Sequence, residues 1–192
     1  MSADVLRAAL STLGPLPAPA VDAWVALAEA RAYAPGEWLL RGGDRATTCH
    51  WVVRGLVREL YVSAEGEEHT RAFVAEGGAT GSLLDLLSGA PAVTWIEALE
   101  PTETYAWPWA AQEALAERFP AVHQLMRRVA EALYVRKAQR EHQMLALTAE
   151  QRYSRWCADH PALDRRVLRR HLASYLGISP EHLSRIARRA TP

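Results

Sequence analysis

Glu181 and Arg185 stand four residues apart, and Arg188 and Arg189 follow within another turn. In a helix this spacing puts one carboxylate and several guanidinium groups on a shared face. Laid in a major groove, such a face can read bases. Glutamate accepts from a cytosine amino group, arginine clamps guanine O6 and N7, and the remaining arginines meet phosphates as fixed cations. His182 and Ser184 lie beside them and can touch bases or phosphate. Ser179 has the character of an N-cap whose hydroxyl can also reach a phosphate. Pro180 suits the first helical position, cannot donate a hydrogen bond, and so narrows the contacts available there. An intrahelical Glu181–Arg185 ion pair is the plain alternative, and both roles can coexist.

Presenting those side chains requires two short helices crossing at a fixed angle, and residues 169–188 (RRHLASYLGISPEHLSRIAR) fit a helix-turn-helix. Ala173 is small where the helices cross. Gly177 falls at the turn, where a positive φ favours glycine. Leu172, Leu176, Ile178, Leu183 and Ile186 supply the packing between the helices. Arg169 and Arg170, with Arg165 and Arg166, lie upstream as further phosphate contacts. A helical hairpin with a merely solvated arginine face is the competing reading.

The 192 residues carry no formal net charge, but the average conceals a split. Residues 151–192 hold nine arginines against three acids, and residues 1–150 hold thirteen basic residues against nineteen acids. Cationic character is thus concentrated where phosphate would be met, and the acidic remainder suits a sensor or scaffold. The two cysteines, Cys49 and Cys157, are too few for a four-cysteine cluster or a structural zinc site. Cys157 shares a helical stripe with Tyr153 and Trp156 and is expected in the core. His50, His69, His123 and His142 form no His-x-His pair, so neither metal nor cofactor is expected. The start lacks the pattern of a secretory signal, and no apolar run approaches the about 20 residues that span a bilayer; a cytoplasmic protein without membrane contact is the expectation.

The supporting elements change character along the chain. Residues 3–12 and 21–32 look like two short helices separated by a non-helical Gly14–Pro19 stretch. From Tyr33 to Pro108, short apolar runs broken by turn signals suggest an antiparallel sandwich or barrel. Strands are expected at 51–53, 56–62, 70–74 and 93–98, with a short helix or turn at 81–88 and a solvated turn at Glu65-Gly66-Glu67-Glu68. Helix returns at 110–118, and Pro120 can start a long helix to about Ala146. Its Val122, Met126, Val129 and Leu133 follow a 4-3-4 spacing, a seam for a partner helix. Thr148 and Gln151 form a capping-box pattern that opens a helix to about Asp159.

In this order the chain resembles the Crp/Fnr family of bacterial transcription regulators. Pro35-Gly36-Glu37, Gly43-Asp44 and Trp51 to Arg58 carry the resemblance in the first half; His171 to Ile186 carry it in the second. The resemblance implies an α+β fold. An antiparallel β-roll or jelly-roll sensor-like domain (1–119) precedes a long dimerisation helix (120–147) and a C-terminal helix-turn-helix, winged-helix-like domain (148–192). It implies base contacts at Glu181 and Arg185, a homodimer on palindromic double-stranded DNA and, for an activator, RNA polymerase as a partner.

Two departures stand out. In cyclic-nucleotide binders of this fold an acid holds the ribose and an arginine pairs the cyclic phosphate. Here the matching segment is Gly81, Ser82, Ala92 and Val93, and no Lys or Arg lies between Phe73 and Arg118. The effector pocket is therefore expected to be degenerate and indifferent to cyclic AMP, its effector unknown. The sequence also ends at Pro192, so the wing contact of many relatives is not expected. Two other readings stay open: a cupin-like ligand binder or enzyme whose last helices only oligomerise, and an interaction module docking on an acidic partner.

Overall fold

The computed structural model describes residues 3–190. The end at Pro192, on which the expectation of a missing wing rests, lies outside them. Helices α1 (Ala3–Leu13) and α2 (Ala18–Leu27) lead into strands β1 (Glu29–Tyr33), β2 (Trp38–Leu40), β3 (Thr48–Arg54), β4 (Val57–Val62), β5 (Glu68–Val74) and β6 (Ala79–Thr80). Helix α3 (Leu83–Ser88) interrupts the strands before β7 (Trp95–Ala98) and β8 (Thr102–Pro108). The remainder is helical: α4 (Trp109–Arg118), α5 (Pro120–Ala146), α6 (Ala149–Asp159), α7 (Arg169–Leu176) and α8 (Pro180–Ala190).

The strands form two four-stranded antiparallel sheets, ordered β1-β8-β3-β6 and β2-β7-β4-β5. Val52, Val57, Val74 and Ile96 fill the space between them. A second core lies at one end of the roll, where Leu6, Leu10, Trp24, Trp107, Leu115, Val122 and Leu125 join α1, α2, α4 and the start of α5 to the sheets. A third holds the last three helices together and includes Leu56 from the roll.

Several boundaries differ from the sequence reading. Helix α2 begins at Ala18, with Pro19 in its first turn, where a missing N–H costs nothing. It ends at Leu27, and Glu29–Tyr33 pairs with β8 as a strand despite its alanines, because the pairing compensates for weak local propensity. Val93 and Thr94 lie outside β7. Glu68 is not part of a solvated turn: its carboxylate lies 2.6 Å from the buried Arg58 guanidinium. Cys157 is half-buried at the margin of its core.

The 4-3-4 seam of α5 is also redistributed. Val122 is fully buried in the chain's own core and so is not open to a partner, and Met126 is partly buried against that core. Val129 and Leu133 lie beyond the covered stretch. The more exposed apolar side chains of this helix are Tyr134, Val135 and Leu145.

Candidate nucleic-acid interface

The turn between α7 and α8 is built as its residues require. Gly177 adopts φ 67° and ψ 39° and closes α7. Ala173 is fully buried at the crossing; Leu172, Leu176, Leu183 and Ile186 are buried and Ile178 packs beside them. The Ser179 hydroxyl accepts from the His182 amide at 3.2 Å, the expected N-cap. Thr148 and Gln151 close their capping box at the start of α6.

With Leu183 and Ile186 turned inward, α8 presents Pro180, Glu181, Ser184, Arg185, Arg188 and Arg189 to solvent, and His182 is half-buried. No ion pair within 4 Å joins Glu181 to Arg185 among the described residues, in contrast to the i,i+4 pairs Arg127–Glu131 and Arg155–Asp159. Hydrogen bonds from its own backbone amide and from Ser179, aided by the charge of Arg185, hold the Glu181 carboxyl below its usual range. Upstream, Arg169 is exposed but leans on Asp164 at 3.7 Å and on the Tyr153 hydroxyl at 3.5 Å. Arg170 donates to His171 Nε2 at 3.1 Å. Arg166 departs from its expected role. Its guanidinium makes four hydrogen bonds of 2.6–3.3 Å to Glu76 and Glu100 of the roll, and so holds carboxylates rather than phosphate.

Features without a local sequence signature fix the orientation of this face. Arg140 of α5 stacks 4.1 Å over the Tyr175 ring and donates to the Tyr175 carbonyl; Arg152 donates to the Leu176 carbonyl at 3.0 Å. These guanidinium groups satisfy carbonyls that the end of a helix leaves orphaned, and they oppose its negative pole. On the roll side, the Ser174 hydroxyl accepts from the Thr70 amide at 2.8 Å and donates to the Glu68 carbonyl at 2.9 Å. Phe73 packs between Trp156 and Tyr175, with ring centroids 5.4 and 5.6 Å away. Buried His171 is pushed down to about 4 by burial, then by the neighbouring Arg58 and Arg170. Since Nε2 accepts from Arg170, Nδ1 carries the proton, and it finds no partner.

The interior of the roll is the second candidate site. Leu39, Leu40, Arg45, Ala46, Thr47, Thr48, His50, Gly81 and Ile96 line a cleft of about 50 Å³. Ligand pockets for drug-sized molecules run to hundreds of Å³, so this one admits little more than water. His50 is buried, and burial lowers it to about 4. Arg71 is the extra residue of a β-bulge in β5 and reaches Glu59 at 3.2 Å, and Thr80 donates to the same carboxylate at 2.6 Å. Ala92 is buried and Val93 exposed, so the segment offers no cation. Ser82, with φ 54°, donates to the buried Asp85 carboxylate at 2.6 Å. That carboxylate also accepts from the Val93 amide at 3.1 Å and the Thr94 amide at 3.2 Å. Burial alone would raise the Asp85 carboxyl, but these hydrogen bonds hold it below its usual range.

The match to known proteins bears on the roll first. The family model for the cyclic nucleotide-binding domain matches residues 30–119. Around this domain the described chain has the fold of the Crp/Fnr regulators. It is similar to FixK2 from Bradyrhizobium japonicum, at 22% identity and a TM-score of 0.72 over 84% of this chain and 83% of that one. It is similar to the c-di-GMP responsive global regulator CLP of Xanthomonas campestris, at 17% identity and a TM-score of 0.68 over 91% of both. It is similar to the Thermus thermophilus catabolite activator protein, at 26% identity and a TM-score of 0.59 over 92% of this chain and 84% of that one. No curated protein sequence matches the chain. Among the described residues no helix is long and apolar enough to cross a membrane, and no three potential metal ligands cluster.

Proposed function

We propose that this protein is a sequence-specific, DNA-binding transcription regulator of the cytoplasm. It acts as a homodimer on a palindromic site and does not depend on cyclic AMP. The observation that carries the reading is the outward face of α8. Glu181, Ser184, Arg185, Arg188 and Arg189 are exposed together on a helix whose other face is buried against α6 and α7. In this reading Glu181 and Arg185 read base edges. Ser179, His182, Ser184, Arg169, Arg170, Arg188 and Arg189 hold phosphate or neighbouring edges, and Pro180 narrows the contact.

The division of labour is a roll in residues 1–119, a dimerisation helix in 120–147 and a DNA-binding unit in 148–192. Two copies pair through the free length of α5, where Val129, Leu133, Tyr134 and Leu145 are available to a partner. Half-sites would lie about 34 Å apart, one turn of B-DNA. The roll serves as scaffold: the buried Ala92, the cleft of about 50 Å³ and the Glu59–Arg71 pair all argue against a cyclic phosphate inside it. An activator of this design would also touch RNA polymerase.

The test is selection from a random DNA pool near physiological salt, comparing wild type with Arg185→Ala, without and with cyclic AMP. Wild type should enrich an inverted repeat equally in both conditions. The variant should relax or lose one position in each half-site, with about 5- to 150-fold weaker binding to the selected site. Binding without an enriched motif that vanishes as salt rises would refute sequence reading. A motif enriched only with cyclic AMP would refute independence of it.

A further inference from the structure

The loop from Gly81 to Thr94 holds a buried carboxylate, that of Asp85, in hydrogen bonds from its own residues. Asp85 is 2% exposed. Its Oδ2 accepts from the Ser82 hydroxyl at 2.6 Å and the Thr94 amide at 3.2 Å, and its Oδ1 from the Val93 amide at 3.1 Å. Because Ser82 gives its proton to Asp85, the Thr94 hydroxyl, 2.9 Å from Ser82 Oγ, is the donor to Ser82. No ion pair within 4 Å reaches Asp85 among the described residues, although Arg45 borders Gly89 in the same loop. A buried carboxylate without a cation is expensive unless converging donors satisfy it, and here an hydroxyl chain and two backbone amides do so.

The receptor also has a conformational cost. Ser82 is the non-glycine residue found at positive φ among the described residues, at 54°. An L-residue in that region is strained and persists when its surroundings fix it. In this conformation its hydroxyl is tied to Asp85 at 2.6 Å and lies 2.9 Å from the Thr94 hydroxyl, and its carbonyl accepts from the Leu86 amide at 3.0 Å.

We propose that this loop is an oxyanion receptor whose occupant is the chain's own Asp85: a tethered anion that holds the loop in its occupied form and closes it to external phosphate or carboxylate ligands. Tethering keeps the carboxylate beside its donors at all times, so an external anion must displace it from amides already engaged. The roll is then ligand-free in composition yet permanently liganded in structure, and its activity follows the amount of protein. The inference rests on the effector independence proposed above and not on the reading of DNA.

Removing the carboxylate should create a site for a free one. Asp85→Ala, Asp85→Asn and wild type are melted in sodium chloride, sodium formate and inorganic phosphate at equal ionic strength. In chloride, Asp85→Ala should melt about 5–10 °C below wild type, because two amides and a hydroxyl lose their acceptor. Formate should restore about half of that fall in a saturable manner, while wild type and Asp85→Asn, whose seat is filled, shift by no more than about 1 °C. Phosphate tests whether the vacated seat takes a larger oxyanion; a gain confined to formate gives its size and leaves the proposal standing. Equal gains in all three proteins, or Asp85→Ala melting with wild type, would overturn it. If Asp85→Ala is insoluble in chloride, it is refolded with and without formate, and recovery only with formate supports the proposal. If neither recovers it, Asp85→Asn decides: melting several degrees below wild type supports, and melting with wild type overturns. None of these readings uses DNA, so they stand whether or not α8 proves to be a reader.

Discussion

Arg166→Ala should loosen the last three helices from the roll, and the effect should depend on pH in a defined way. In the native protein the Arg166 guanidinium, 27% exposed in its side chain, spans Glu76 and Glu100. Hydrogen bonding from Arg166, first of all, brings Glu76 from 4.5 down to about 2. A displacement of that size corresponds to about 3 kcal/mol. The Glu76 side chain is 42% exposed, so solvent screening reduces the figure to about 1–2 kcal/mol. For a chain of 192 residues this lowers Tm by about 3–6 °C at pH 7. The Glu76 carboxyl titrates lower in the folded state than in the unfolded chain. Its contribution is therefore fully present above about 4.5 and lost as pH falls through about 2. Thermal melts of wild type and variant at pH 7, 5 and 2.5 should converge at the acid end, and Arg166→Lys should recover only part of the gap, since an ammonium cannot span two carboxylates bidentately. A gap as wide at pH 2.5 as at pH 7, or additive losses in Arg166→Ala/Glu76→Ala, would refute the reasoning.

Two further outcomes are expected. His171 and His50, both lowered to about 4 by burial, bind protons in the unfolded chain before the folded one; stability should therefore fall between about pH 6.5 and 4, by up to about 3 kcal/mol per imidazole, and a flat pH–Tm profile across that window would contradict this. Gly177→Ala forces an L-residue to φ 67° and sets its Cβ 2.6 Å from Met144 Cε; it should cost about 1–2 kcal/mol in urea unfolding, and an unchanged midpoint would show that the turn can relax.

What was legible in the sequence was local. Gly177, Ser179-Pro180 and the Thr148–Gln151 pattern each encode their geometry within a few residues, so the helix-turn-helix and its caps stand where the spacing puts them. The whole order of roll, long helix and terminal helices was likewise carried by turn signals and by the change of periodicity. What was not legible depends on distant partners. Residues 29–32 read as a helical tail because alanine favours helix, yet pairing with β8 makes them a strand. Val122 and Met126 have a coiled-coil spacing, but a spacing does not tell which surface will cover it, and here the roll does. Arg166 looked like one more phosphate contact because Glu76 and Glu100 are remote in sequence. Asp85 is an ordinary acid in the sequence, and only folding brings the amides of Val93 and Thr94 onto it.

Strand β5 lies last in its sheet, paired with β4 on one side only. Its other side would offer unpaired amides and carbonyls, the template on which a foreign strand adds and aggregation begins. Ser174 takes the place of that missing neighbour: a single helical hydroxyl answers the Thr70 amide and the Glu68 carbonyl as a strand backbone would. The unit of α6, α7 and α8 is thus also the guard of the roll's open border. A fragment cut at residue 147 would keep its inner core but expose that border, and its failure in solution would be self-association rather than unfolding.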